Sequence, residues 1–74
     1  MLEIEVHQGD GHTICRPIGE LDAFTVSQFR QALSELASDD RLLIDMSRVP
    51  FVDSAGLGAL IGGIRRTREL GGDV

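Results

Sequence analysis

The 74-residue chain has no lysine, tryptophan or tyrosine, one cysteine and two prolines. Each scarcity excludes something. All seven cations are arginines, set against twelve acids for a formal net charge of −5. Nucleic-acid binding asks for a basic stripe, and single-strand binding adds stacking aromatics. Three phenylalanines on an acidic chain supply neither. A lone Cys15 cannot form an internal disulfide, so a stapled secreted module is excluded. The first fifteen residues hold Glu3, Glu5 and Asp10 but no cation, unlike the basic start of a signal peptide. The longest uncharged run, Ser54 to Ile64, falls well short of the roughly 20 residues of a membrane span. The expected setting is the cytoplasm, with no nucleic-acid or membrane partner. A chain this short forms one domain and buries only about 60% of its unfolded surface, too little to wall a deep catalytic pocket. No enzymatic activity and no cofactor are expected.

What remains is an ordinary folding composition, 42% apolar and 26% charged. Leu2, Ile4 and Val6 alternate with Glu3, Glu5 and His7, the pattern of a half-buried strand. Gln8-Gly9-Asp10-Gly11 predicts a hairpin turn, with His12 to Ile18 as the return strand. Pro17 removes a backbone donor from that strand and predicts a bulge or a local edge. Gly19-Glu20-Leu21-Asp22 leaves the sheet as a loop. Thr25 and Gln28 have the spacing of a capping box, and Val26, Phe29, Leu33 and Leu36 mark one face of the following helix. Ser38-Asp39-Asp40 stops it. The short apolar run Leu42-Leu43-Ile44 predicts a strand covered on both sides. Ser47 to Val52 connects it to a second helix starting near Ser54. There Leu57, Leu60, Ile61 and Ile64 are expected to face inward, with Arg65, Arg66 and Arg68 outward and Gly71-Gly72 as the stop. The order is β-β-α-β-α. A further parallel strand should follow the last helix, so residues 1–74 read as a single domain incomplete at its C-terminus.

The stretch richest in chemistry is Phe51-Val52-Asp53-Ser54-Ala55-Gly56-Leu57-Gly58. It sets a hydroxyl at a helix start, where free N–H groups and the helix dipole favour negative charge. Gly56 and Gly58 keep side-chain bulk away, so another protein could approach Ser54. That suits a serine that gains and loses a phosphate. The same residues are also accounted for by Asp53 or Ser54 as a plain N-cap, with the glycines serving packing. Other motifs fit less well. In Gly56-x-Gly58-x-x-x-Gly62 the third glycine of a dinucleotide loop is displaced, and Ile61 takes its place. A nucleophile elbow needs glycine where Val52 stands. His7, Asp10 and His12 sit on one turn and read as solvent-facing, giving no metal site. Cys15 reads as a small core residue. Arg65, Arg66 and Arg68 complement the C-terminal end of the helix dipole and read mainly as a solvated face.

Together, Gly19-Glu20-Leu21-Asp22 with Thr25, Leu43-Ile44-Asp45 with Val49, and Asp53-Ser54-Ala55-Gly56-Leu57-Gly58 resemble the STAS domain, specifically the bacterial anti-sigma factor antagonists. The resemblance covers the whole chain. It implies an α/β fold, the β-β-α-β-α start of a mixed sheet with helices on one face. It also implies a phosphoprotein that regulates transcription by partner switching. The serine corresponding to Ser54 is phosphorylated by an anti-sigma factor that is itself a serine kinase. The unmodified antagonist binds that anti-sigma factor and frees a sigma factor, and a PP2C-type phosphatase resets the cycle. The partner surface it implies comprises Gly19, Glu20 and Asp22 on one loop and Asp53, Ser54, Ala55, Gly56, Leu57 and Gly58 on the other. Ala55 replaces a common second hydroxyl, leaving Ser54 as the acceptor in the motif. Two alternatives remain. One is a STAS scaffold subunit of a lipid-transport ABC or stressosome-like complex. The other is a small nucleotide-binding protein or hydrolase centred on Gly56 and Gly58. An exposed edge on the Leu42–Asp45 strand would also admit a homodimer.

Overall fold

The computed structural model describes residues 2–74. Its elements are β1 (Glu3–Gly9), β2 (His12–Ile18), α1 (Val26–Leu36), β3 (Leu42–Ile44) and α2 (Ser54–Glu69). The β-β-α-β-α order is the expected one. The sheet runs β1-β2-β3, antiparallel between β1 and β2 and parallel between β2 and β3. No helix among the described residues is long and apolar enough to cross a membrane.

The hairpin closes through Asp10 and Gly11 alone, with Gly9 paired to His12. Both turn residues have positive φ (40° and 83°), the conformation that makes Asp-Gly a favoured two-residue hairpin turn. Pairing then continues without interruption to Glu3↔Ile18, so Pro17 causes no bulge. Counting outward from the turn, Ile4↔Pro17 is a pair that exchanges no hydrogen bonds across β1 and β2. The missing N–H of Pro17 therefore faces the other side, where β3 pairs only with Thr13 to Cys15. The local edge accommodates the ring.

Thr13, Cys15 and Pro17 point to one face of β2 and are buried, as is Leu42 on β3. Cys15 and Leu42 cluster with Phe29 and Leu33 of α1 and Ala59 of α2, and Leu2 and Leu21 complete the core. Cys15 is the small core residue expected, and burial raises its thiol pKa. Both helices lie on this face. The opposite face is lined by Glu5, Arg16 and Asp45, and Leu43 is 50% exposed there. The expectation of a strand covered on both sides is thus corrected. An apolar run of three residues has the same composition whether one or both faces are covered.

The α1 entry also departs from expectation. No side-chain cap bond forms from Thr25, and Gln28 instead donates to the Leu2 carbonyl at 3.3 Å. Asp22 takes over the capping work. Its carboxylate accepts from the Phe24 and Thr25 N–H groups at 2.9 and 3.1 Å, and its carbonyl accepts from Thr25 and Val26.

On α2 the buried positions are Gly56, Ala59 and Thr67. Leu60 and Ile64 are half-buried, but Leu57 and Ile61 are 50% and 47% exposed, against expectation. Close approach explains the rotation. A methyl group on Gly56 would lie 2.5 Å from the Leu21 carbonyl oxygen, and one on Gly63 would strike the Leu33 side chain. Small residues let α2 lie close to its neighbours, so the bulky apolar ones are turned away. Gly71, at φ 90°, ends the helix in a Schellman turn: Gly72 N–H donates to Thr67 and Gly71 N–H to Arg68.

Candidate functional site

The loops following β2 and β3 are joined as one piece. Leu21 and Val52 form a parallel bridge, in which Leu21 N–H donates to Phe51 at 2.9 Å and Asp53 N–H donates to Leu21 at 3.1 Å. Gly19 N–H donates to Arg48 at 3.1 Å. Leu21 is fully buried, so this joint is anchored in the core.

Asp53 links the joint to α2. One carboxylate oxygen accepts from Gly56 N–H at 2.9 Å, the N-cap bond, and the other accepts from Ala23 N–H at 3.1 Å. Asp22 is equally committed to its own turn. Thr25 adds a buried cross-tie, accepting from Asp22 N–H and donating to the Glu20 carbonyl, both at 3.0 Å. The two acids are therefore structural fixtures as well as charges. Neither carboxylate is free to swing.

Ser54 is the first residue of α2 and is exposed. Its own N–H and that of Ala55 precede the first intrahelical bond, leaving two amides near the hydroxyl. Of the other residues singled out in the sequence, Glu20 and Gly58 are exposed and Gly19, Asp22, Asp53 and Ala55 are half-buried. Leu57 faces solvent. Gly56 is buried against Leu21 and serves packing, whereas nothing lies within 4 Å of a methyl placed on Gly58. The two glycines of the motif have different jobs.

Sequence reasoning passed over Phe24, which is 94% exposed. It follows Ala23, whose N–H holds Asp53, so its backbone belongs to the turn tied to the Ser54 helix start. With Val52 and Leu57 it adds apolar surface to the polar joint. The available signal was a phenylalanine falling outside the Val26, Phe29, Leu33 periodicity of α1.

The remaining candidates lie apart from this joint. His7 is exposed and stands 3.6 Å from Glu5, on the outer sheet face. Among the described residues, no three His, Cys, Asp or Glu side chains group as metal ligands. Arg65, Arg66 and Arg68 are exposed on α2, and two of them occupy its last turn.

Residues 3–74 match the family profile described as the STAS domain. An anti-sigma F factor antagonist of Paenibacillus polymyxa is 29% identical over 76 residues, covering 99% of this chain and 65% of the relative. Among solved structures, an anti-sigma factor antagonist from Mycobacterium paratuberculosis superposes with TM-score 0.82 at 30% identity, over 88% of this chain and 57% of that one. The STAS domain of an antisigma-factor antagonist from Rhodobacter sphaeroides gives TM-score 0.84 at 25% identity, over 99% and 82%. The chain spans less than two thirds of the length of the curated relatives it matches.

Proposed function

The chain belongs to the STAS domain family, and on that footing we propose that it acts as an anti-sigma factor antagonist switched by phosphorylation of Ser54. It binds an anti-sigma serine kinase while Ser54 is unmodified, and so frees a sigma factor for transcription. Phosphorylation dissolves the complex, and a PP2C-type phosphatase restores it. The chain itself performs no catalysis and works in the cytoplasm. The observation that carries this reading is the exposed Ser54 hydroxyl at the α2 start, bordered by a loop that Asp53 and Leu21 hold in place.

The physics of the switch is local. Phosphorylation adds about −1.5 to −2 charges next to Asp53 and the Asp22 turn. In the free protein the Ser54 and Ala55 amides and the helix dipole ease that charge. In a closed interface it has no such freedom, and an uncompensated buried charge costs roughly 3–5 kcal/mol. At 1.4 kcal/mol per decade, affinity falls by about two to four orders of magnitude. Phe24 and Leu57 supply the apolar contact that a partner would cover.

The test is to incubate the protein with a candidate anti-sigma kinase and ATP, map phosphate by mass spectrometry, and measure complex formation. Modification is expected at Ser54, with binding retained in Ser54→Ala and lost in Ser54→Asp. A Ser54→Asp variant that binds the kinase as tightly as the unmodified protein overturns the switch.

A further inference from the structure

A second surface runs along α2 from Ser54, at the Leu21–Val52 joint, towards the C-terminal end of the helix. Ser54, Gly58, Gly62 and Arg66 follow one another at intervals of four, a single row on the helix. The two glycines leave the middle of that row without side chains, and nothing lies within 4 Å of a methyl placed on either. The result is a groove of about 470 Å³ between the two helices. Arg30, Leu33 and Ser34 form its α1 wall, and Arg66 closes the glycine row.

Charge sets this groove apart. Its only charged side chains are Arg30 and Arg66, on a protein of net charge −5. Among the described residues Arg16 alone of the arginines is ion-paired, with Glu5 and Asp45. The exposed Arg41, Arg48, Arg65 and Arg68 are as unpaired as Arg30 and Arg66. What distinguishes the groove is that no acid lines it. Among the described residues neither groove arginine has an ion-pair partner, and neither Glu35 nor Glu69, their close neighbours in sequence, forms one.

We propose that the groove between α1 and α2 docks a short acidic segment of a partner protein, its main chain lying over Gly58 and Gly62 and its carboxylates meeting Arg30 and Arg66. Glycine allows a partner backbone to approach the helix closely. From Gly58 to Arg66 the helix rises about 12 Å, the reach of three or four extended residues at roughly 3.3 Å each. Arginine forks favour bidentate carboxylate contacts. This docking stands on the groove alone and does not depend on the phosphorylation switch.

The test is fluorescence anisotropy of a labelled Gly-Glu-Gly-Glu-Gly-Glu peptide, with its Gln counterpart as the neutral control, at about 0.15 M salt, where distant charges are screened. The Glu peptide should bind and the Gln peptide should not. Arg30→Gln and Arg66→Gln should each weaken binding about tenfold, one decade of affinity, while Arg65→Gln leaves it unchanged. Gly62→Leu should also weaken binding by filling the groove with both arginines intact. Gly62→Ala, which favours helix, gives the same sign should the leucine variant fail to fold. The proposal is overturned by absence of Glu-peptide binding to the native protein, or by an Arg65→Gln effect equal to that of Arg66→Gln. It is also overturned if tripolyphosphate binds through Arg30 and Arg66 while the peptide does not, which would mark a compact-anion site.

Discussion

Replacing Gly56 by alanine tests whether the close contact under the α2 N-terminus holds the site together. In an exposed helix the exchange stabilises by about 0.5–1 kcal/mol, because alanine loses less backbone freedom. Here the new methyl would sit 2.5 Å from the Leu21 carbonyl oxygen and 2.8 Å from its Cγ. A backbone oxygen cannot turn aside as a side-chain tip can, so the helix start and the Gly19–Asp22 loop must separate. Overpacking of this kind costs about 1–3 kcal/mol. Separation also strains the Leu21–Phe51 and Asp53–Leu21 hydrogen bonds, worth about 0.5–1.5 kcal/mol each. With both bonds lost and the helix gain subtracted, the net loss lies between about 1 and 5 kcal/mol, centred near about 3 kcal/mol. With a urea slope of about 1 kcal/mol per molar, the midpoint should fall by about 3 M at that central value and by at least about 1 M. Gly58→Ala is the matched control, two residues along on the other side of the helix and facing open space. It should raise the midpoint. Equilibrium urea unfolding followed by far-UV circular dichroism measures both, and Gly56→Ala unfolding at or above the native midpoint refutes the packing argument.

Asp53→Ala removes the α2 cap and the tie to Ala23, and should cost about 1–2 kcal/mol in thermal unfolding. Asp53→Asn should cost less, since its amide oxygen can still accept from Gly56 while its NH2 group cannot accept from Ala23. Asp45 is held at a pKa of about 2 by hydrogen bonds from the Ser47 hydroxyl and N–H, and then by Arg16. Because the folded value lies below the ordinary 3.8, its contribution to stability is present above pH about 4 and is lost as pH falls towards 2. Asp45→Asn should flatten the pH dependence of the unfolding midpoint across that window. Cys15 is fully buried with a raised pKa, so native protein should react with a thiol reagent only through opening, and urea should expose one thiol per chain.

The element order was legible in the sequence because alternation, an Asp-Gly turn and a Thr25-to-Leu36 helical pattern each act locally. Which helix face turns inward was not. Leu57 and Ile61 carry the apolar signal, yet the approach of Leu21 and Leu33 selects Gly56, Ala59 and Gly63 instead. Periodicity records bulk and cannot register a packing distance. For the same reason Gly56 and Gly58 look alike in the motif, and only the neighbouring loop separates their roles. The capping box failed on competition, since Asp22 reached the free N–H groups first. Ser54 could be singled out because its motif is contiguous. The Asp53–Ala23 bond could not, because it joins segments distant in sequence.

The Leu21–Val52 bridge also has a consequence for the order in which the protein acquires its surface. Its two strands of contact are separated by roughly thirty residues, so closing it costs loop entropy that no local helix or hairpin must meet. The hairpin and α1 can form from neighbouring residues. The loop carrying Asp22 and the turn carrying Ser54 acquire their shared geometry only when the chain beyond β3 has returned. A growing chain that has not yet reached Asp53 presents the first loop without its counterpart. Anything that reads both loops at once is therefore also a reader of completed folding.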